Sequence, residues 1–253
     1  MHQDCTNAEV DSDCMNKKEA ILLFSGGRDS FLSACYLIEN KFKVHMVTFE
    51  NGAGLQTYNA KYAAGRIIKR FGEKRCKFLG IKNIAGLWRD FFLPYFNMKP
   101  SEVIREYGEL TVSQFNCLTC RSAMYTWSII KAKQMQANYI AEGARKDQGF
   151  VIELPNMIER FKRLLSEYSL ELLLPVYELD SDWDRKNLLL LRGFVPKTLE
   201  PQCLVGVPLK GGKAPDESVQ KAVERFFDKV VLPRVRELIQ TQSNVILEGR
   251  SEL

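Results

Sequence analysis

The chain has 253 residues, 45% of them hydrophobic, which is enough to bury a core in one large domain or in one domain with an added helical piece. A net charge of +5 permits anionic substrates without demanding a nucleic-acid partner. No run of about 18 apolar residues occurs, and the opening "MHQDCTNAEVDSDCMNKKEA" is polar and acidic, unlike a signal peptide, so the expectation is a cytoplasmic protein without membrane association.

Residues 1–18 lack apolar periodicity and read as a mobile tail, in which Cys5 and Cys14 have no expected structural role. From Ala20 onward, strands at 20–24, 43–49 and 75–80 alternate with helices at 29–40 and 56–71. That alternation predicts an α/β fold with a parallel sheet and right-handed crossovers. Two helical pieces follow, at 84–96 and 100–110, the second entered through Pro100. A helix is then predicted from about Arg121 to Gln136, with Cys117 and Cys120 just before it. Next come a strand over 138–143 that stops at Gly143 and a polar loop, "ARKDQG". The second half reads as helices over 154–168 and 181–193 around a short apolar stretch, 170–179, and ends in an amphipathic helix over 217–240. There Val219, Val223, Phe226 and Val230 recur at spacings of four, three and four. Pro233 should kink the helix, which packs either on the domain or on a second subunit of a homodimer.

The most informative short stretch is "ILLFSGGRDS". Gly26 and Gly27 let the backbone approach a ligand and expose N–H groups where the next helix presents its positive end, so the turn can cradle phosphate. Ser25 and Ser30 add hydroxyls, and Asp29 either caps the helix or helps hold a metal ion bound to the phosphates. An ordinary strand-turn-helix is the plain alternative. The lysine of a Walker A loop and the third glycine of a dinucleotide fingerprint are both missing.

Ser25-Gly26-Gly27-Arg28-Asp29-Ser30 resembles the pyrophosphate-binding loop of the N-type ATP pyrophosphatase (PP-loop) superfamily, whose pattern is Ser-Gly-Gly-x-Asp-Ser after the first strand. The resemblance implies a five-stranded parallel sheet flanked by helices, of adenine nucleotide alpha-hydrolase type. It places the ATP-binding domain at 19–180 and leaves 181–253 as a mainly helical C-terminal region. It further implies that ATP, with Mg2+, is split between its α- and β-phosphates and that AMP passes to a substrate oxygen. Arg28 belongs to the loop by this match, and the "FENGAG" segment after the second strand, with Phe49, Gly52 and Gly54, matches the place where the family receives adenine, an ordinary turn at Gly52 and Gly54 being the plain alternative. Gly143 and Arg145, at the exit of a later strand, join the expected ATP contacts, and Arg121 and Lys146 are further candidates for the triphosphate, a solvated surface being the other reading of these basic residues.

Seven cysteines, an odd count in a chain of this size, suit free thiols or ligands better than a disulfide framework. "FNCLTCRSAM" holds Cys117 and Cys120, and "LEPQCLVG" supplies Cys203 83 residues later; two thiolates on one turn and one from a distant loop can grip a metal ion or one face of an iron–sulfur cube. A redox pair or buried apolar packing are the other readings, and Cys35 and Cys76 are expected in the core. The layout resembles the tRNA 2-thiouridine and 2-thiocytidine synthetases of the superfamily. That likeness implies Cys117, Cys120 and Cys203 as ligands of a [4Fe–4S] cluster that carries sulfide, with Cys203 also counted as catalytic beside Asp29. Related members use two separated cysteines as persulfide donor and resolving thiol. Glu142, Asp147 and Gln148 stand where those enzymes carry a paired acidic motif.

The chain has only His2 and His45 and no further Cys/His cluster, so nothing in it marks an appended RNA-binding module, although tRNA stays among the possible acceptors. A looser resemblance links the second half to the 7-cyano-7-deazaguanine synthases, which activate a carboxylate and hold zinc, Zn2+, on four clustered cysteines. A non-catalytic nucleotide-binding subunit is the reading from a different class. "LDSDWD" sets Asp180, Asp182 and Asp184 at alternate positions, better suited to starting a helix than to holding a divalent ion. "GRIIKRFGEKRCK" suits a solvated helix face or an RNA backbone. The acceptor and any sulfur donor are not named by the sequence.

Overall fold

In a computed structural model of the chain, residues 18–146, 149–179, 181–197, 201–205 and 215–247 are described, with side chains up to 241. Five strands form one parallel sheet: β1 (Glu19–Leu23), β2 (Lys43–Glu50), β4 (Cys76–Asn83), β5 (Tyr139–Glu142) and β6 (Glu171–Leu173), in the order β4-β2-β1-β5-β6. Within "EAILLF", Ile21 and Leu23 face one core while Leu22 and Phe24 face the other, as strand periodicity requires. With β1 and its flanking core covered on both sides, the run is apolar throughout rather than alternating. The apolar stretch at 170–179 supplies the fifth strand.

Helices α1 (Arg28–Glu39), α2 (Asn59–Phe71) and α7 (Asp182–Leu191) contribute to the core that holds Leu22 and Phe24. The other core takes residues of α3 (Ala85–Phe96), α4 (Pro100–Glu106), α5 (Val112–Met135), α6 (Pro155–Ser166), α8 (Glu217–Phe226) and α9 (Leu232–Leu247). Phe115 of α5 and Phe226 of α8 meet edge to face at 5.0 Å. A two-stranded antiparallel ribbon, β3 (Gly54–Leu55) with β7 (Gln202–Cys203), stands apart from the sheet.

Two expectations need correction. The helix expected from Arg121 begins at Val112, because Thr111 accepts a hydrogen bond from Gln114 N at 3.3 Å and Gln114 reaches back to Thr111 N, a capping box. Cys117 and Cys120 therefore lie inside α5, three residues apart on one face, and not ahead of it. The closing helix is also not one uniform α-helix. A π-helical turn, Phe227–Val231, lies between α8 and α9, just before Pro233. Proline lacks an N–H and crowds the carbonyl four residues back, and the widened turn absorbs both effects. The extra residue shifts the buried stripe, so Val223, Phe227, Val231, Val235 and Ile239 line the core while Val230 is only half-buried.

Candidate active site

The strand order reverses direction between β1 and β5, so the crevice beyond their carboxyl ends is where an open α/β sheet receives a ligand. A cavity of about 250 Å³ opens there, lined among others by Ser25, Asp29, Phe49, Gly143, Cys120 and Cys203.

Ser25, at the start of the Ser-Gly-Gly turn, and Asp29 and Ser30, just after it, line one side of the cavity. Gly26 has φ +82°, and an added Cβ would meet Ala60 Cα at 3.0 Å, so both conformation and the close approach of α2 require glycine. Ser25 Oγ accepts from Gly27 N at 3.1 Å, and Ser30 Oγ donates to Gly27 O at 3.1 Å, which sets the turn's shape before any ligand arrives. Gly27 is the N-cap of α1 and offers no side-chain acceptor, so the helix's positive end faces the cavity without a capping oxygen. Capping was one role expected of Asp29; instead its carboxylate lies between Arg145 Nε at 3.4 Å and Arg185 Nε at 3.1 Å.

Gly143 is the tightest position in the site. A Cβ there would lie 2.5 Å from Ser30 N and 2.7 Å from Asp29 C, so the end of β5 packs directly against the first turn of α1. Glu142, buried just before it, pairs with Arg121 of α5. Phe49 meets Trp127 edge to face at 5.3 Å, and Gly52, in the following loop, has φ +89°. Lys146 pairs with Glu178 on the exposed surface at 3.4 Å. Asp182 lies in the first turn of α7 behind the Ser181 cap and binds Arg28 at 2.7 Å; Asp180, Asp147 and Gln148 lie outside the described residues.

Two residues of the site carried no recognised sequence signal. Arg185 is 1% exposed, donates to Leu179 O at 2.7 Å, and ties α7 to Asp29. Glu153 ends a single 3-10 turn, Val151–Glu153, and lines the cavity. Burial pushes its pKa up to about 7 against the pull of Arg121 and Arg145. Asp29, Glu142 and Glu153 thus face Arg121, Arg145 and Arg185, a near-balanced set of charges beneath the cradle.

The three thiols arrive on two elements. Cys117 and Cys120 come from α5, and Cys203 reaches them because β7 pairs with β3, with Cys203 opposite Gly54 of the "FENGAG" loop. Asn51 Nδ2 donates to Cys120 Sγ at 3.2 Å, and Asn116 Nδ2 to Cys203 Sγ at 3.7 Å. Burial pushes Cys117 up to about 11 and Cys120 to about 12, and the neighbouring thiols add to both shifts. Among the described residues no three His, Cys, Asp or Glu side chains are grouped so that they could hold a metal ion as they stand. Cys35 and Cys76 are buried in the core, where burial likewise raises both thiols, and Cys5 and Cys14 lie outside the described residues.

No protein-family model matches the chain, and no curated protein matches it. Among solved structures it is similar to a 4-thiouridine synthetase in an RNA complex with bound ATP, at a TM-score of 0.58 and 16% identity, over 88% of this chain and 53% of that one. The chain thus spans about half the length of that synthetase. A predicted subunit of tRNA methyltransferase from Methanocaldococcus jannaschii matches more loosely, with a TM-score of 0.39 and 16% identity over 76% of this chain and 98% of that one. The first likeness and the strand order show the fold, which is adenine nucleotide alpha-hydrolase-like. Among the described residues no helix is long and apolar enough to cross a membrane.

Proposed function

We propose that this chain is an ATP-dependent adenylating enzyme that splits ATP into AMP and pyrophosphate to activate a substrate oxygen for sulfur transfer to a nucleoside or small molecule. One observation carries the reading: Ser25, Asp29 and Ser30 of the Ser-Gly-Gly-Arg-Asp-Ser turn line the same cavity at the sheet's switch point as Cys120 and Cys203.

The turn and the uncapped start of α1 supply N–H groups for phosphate oxygens, and Arg145 supplies a cation beside them. No lysine is present to follow a γ-phosphate as in a Walker loop, which fits cleavage at the α-phosphate. Asp29 would hold magnesium together with the ATP phosphates. Mg2+ sites of this kind draw one or two carboxylates from the protein and the rest from substrate and water, so they need no group of three protein donors.

The thiols fit sulfur chemistry by their donor set, three sulfurs of which two already accept an amide N–H. Cys117, Cys120 and Cys203 would hold a [4Fe–4S] cluster through three irons, which supplies a sulfide carrier and Lewis acid when bound. A cube seats each thiolate on its own iron, whereas zinc draws all its ligands onto one ion.

Incubation with ATP and Mg2+ and separation of the products tests the first half: AMP and pyrophosphate are expected, and ADP with phosphate as the sole products overturns it. For the second half, protein prepared without oxygen is assayed for iron, acid-labile sulfide and zinc. Iron and sulfide are expected in the wild type and in Cys35→Ala, and are expected to be lost in Cys117→Ala, Cys120→Ala and Cys203→Ala. A Cys203→Ala protein that keeps its metal and its turnover dissolves the shared site.

A further inference from the structure

The outer face of α2 has no role in the reading above. Its inner face buries Ala60, Ala63, Ala64 and Ile67 against the core. Tyr58, Tyr62, Gly65 and Lys69 recur outward at spacings of four, three and four, so they form one ridge. Tyr58 and Tyr62 are 60% and 64% exposed, unusual for rings of that size. Gly65 sits mid-helix, where glycine is about 1 kcal/mol less favourable than alanine, yet an added Cβ would meet nothing within 4 Å. Packing therefore does not explain the missing side chain, and the bare backbone there leaves room for a ligand to lie close along the helix.

The charge on this face has one sign. No acidic residue occurs between Glu50 and Glu73, while Lys61, Lys69 and Arg70 are exposed and, among the described residues, make no ion pair. Elsewhere many cations are matched, as in Arg160 with Asp228 or Arg236 with Glu167. The ridge also leads to the cavity, since Thr57, beside Tyr58, lines it together with Gly54 and Cys203.

We infer that the outer face of α2 docks a single-stranded RNA segment, stacking bases on Tyr58 and Tyr62, passing the backbone over Gly65 and meeting phosphates with Lys61, Lys69 and Arg70. Aromatic rings interleaved with unpaired cations are what a single strand recognises: each base has a face to stack and each phosphate a charge to place. An acidic peptide would use the cations and leave the tyrosines idle. The choice of RNA rests on the proposed activation of a nucleoside, whose base would enter the cavity from this ridge.

Fluorescence anisotropy with labelled U12 RNA tests this, against a 12-base-pair RNA duplex, dT12 and polyglutamate. The full chain is expected to bind U12 saturably and more tightly than any of the three. Tyr58→Ala and Tyr62→Ala should each weaken U12 binding about tenfold, the scale of one lost base–aromatic stack. Lys69→Gln should lower the slope of log affinity against log salt by about 0.7. Gly65→Leu separates binding from folding: it should raise the melting temperature, as a better helix former, and still weaken RNA binding. Equal affinity for polyglutamate, preference for duplex or DNA, or indifference to the two tyrosine variants overturns the inference. Production of AMP from ATP by the wild type is read separately. RNA binding without AMP formation sinks the catalytic reading alone, and AMP formation without U12 binding sinks this one alone.

Discussion

Asp29 is held by two guanidiniums, Arg145 and Arg185, and its buried pair with Arg185 differs in surroundings from the nearby pair of Arg28 with Asp182. Arg185 is nearly inaccessible, so deleting its guanidinium takes a buried partner from the Asp29 carboxylate and from Leu179 O, whereas Arg28 and Asp182 keep contact with water. Arg185→Met is expected to lower unfolding stability by about 3 kcal/mol, and Asp182→Ala by less than about 1 kcal/mol, both measured by urea denaturation. Equal small losses would mean that α7 does not brace the loop through this pair. Glu153 gives a second expectation. Its pKa, raised by burial from the usual 4.5 to about 7, means that the native state holds a proton that the unfolded chain has released between those values. Stability must therefore fall as pH rises from about 4.5 to about 7 and level off above. Melting temperatures across that window should show the fall in the wild type and a flatter profile in Glu153→Gln; parallel profiles would show that another group is responsible. Neither residue was legible beforehand. Arg185 lies in "SDWDRK", where a basic residue after acids reads as an ordinary helix start, and Glu153 lies in a loop whose burial depends on α5 and the sheet folding over it.

At the scale of elements, the first turn of α1 and the end of β5 touch backbone to backbone at Gly143. A methyl group has no space there, and neither neighbour is a flexible side chain that can swing aside. Gly143→Ala is expected to cost at least about 2 kcal/mol and to weaken ATP binding, both readable by thermal shift with and without nucleotide. An alanine variant with wild-type stability would show that the two elements can separate. The strands and most helices could be read from periodicity because each has a buried face whose spacing is visible in the chain. The start of α5 is written in "TVSQ", a Thr-x-x-Gln box, but the helix buries residues around much of its surface, so no amphipathic period marks the turns between that box and Arg121. Thr111→Ala should lower stability by about 1 kcal/mol by loosening the turn ahead of Cys117; an unchanged urea midpoint would show that tertiary packing alone sets the helix start. The place of Cys203 was only half legible. Its place on the cavity that Cys120 also lines depends on a ribbon of two residues per strand, too short to leave a pattern.

For the whole molecule, the last helices are structural in their own right. Phe226, Phe227, Val231, Val235 and Ile239 enter the same core as Phe115 and Phe161, and Lys229 and Arg236 bridge to Glu106 and Glu167. A chain ending at residue 215 would uncover that core. It is expected to lose its cooperative unfolding transition and to bind an apolar dye, as followed by near-ultraviolet circular dichroism and fluorescence. Retention of a sharp transition would show that the sheet and its nearer helices suffice.

The pairing of β1 with β5 has a bearing on how the chain is made. Ala20 lies beside Tyr139, so the two lips of the crevice are 119 residues apart in the chain. At usual rates of synthesis, that distance takes about 6 to 24 s to emerge from the ribosome. During that interval β1 can pair with β2 on one side and has an apolar strand edge open on the other. Such an edge is a template for association with other nascent chains until β5 arrives. Closing the nucleotide crevice is therefore also the event that ends this exposure, and yield on expression should depend on the interval before β5 emerges as much as on the stability of the finished fold.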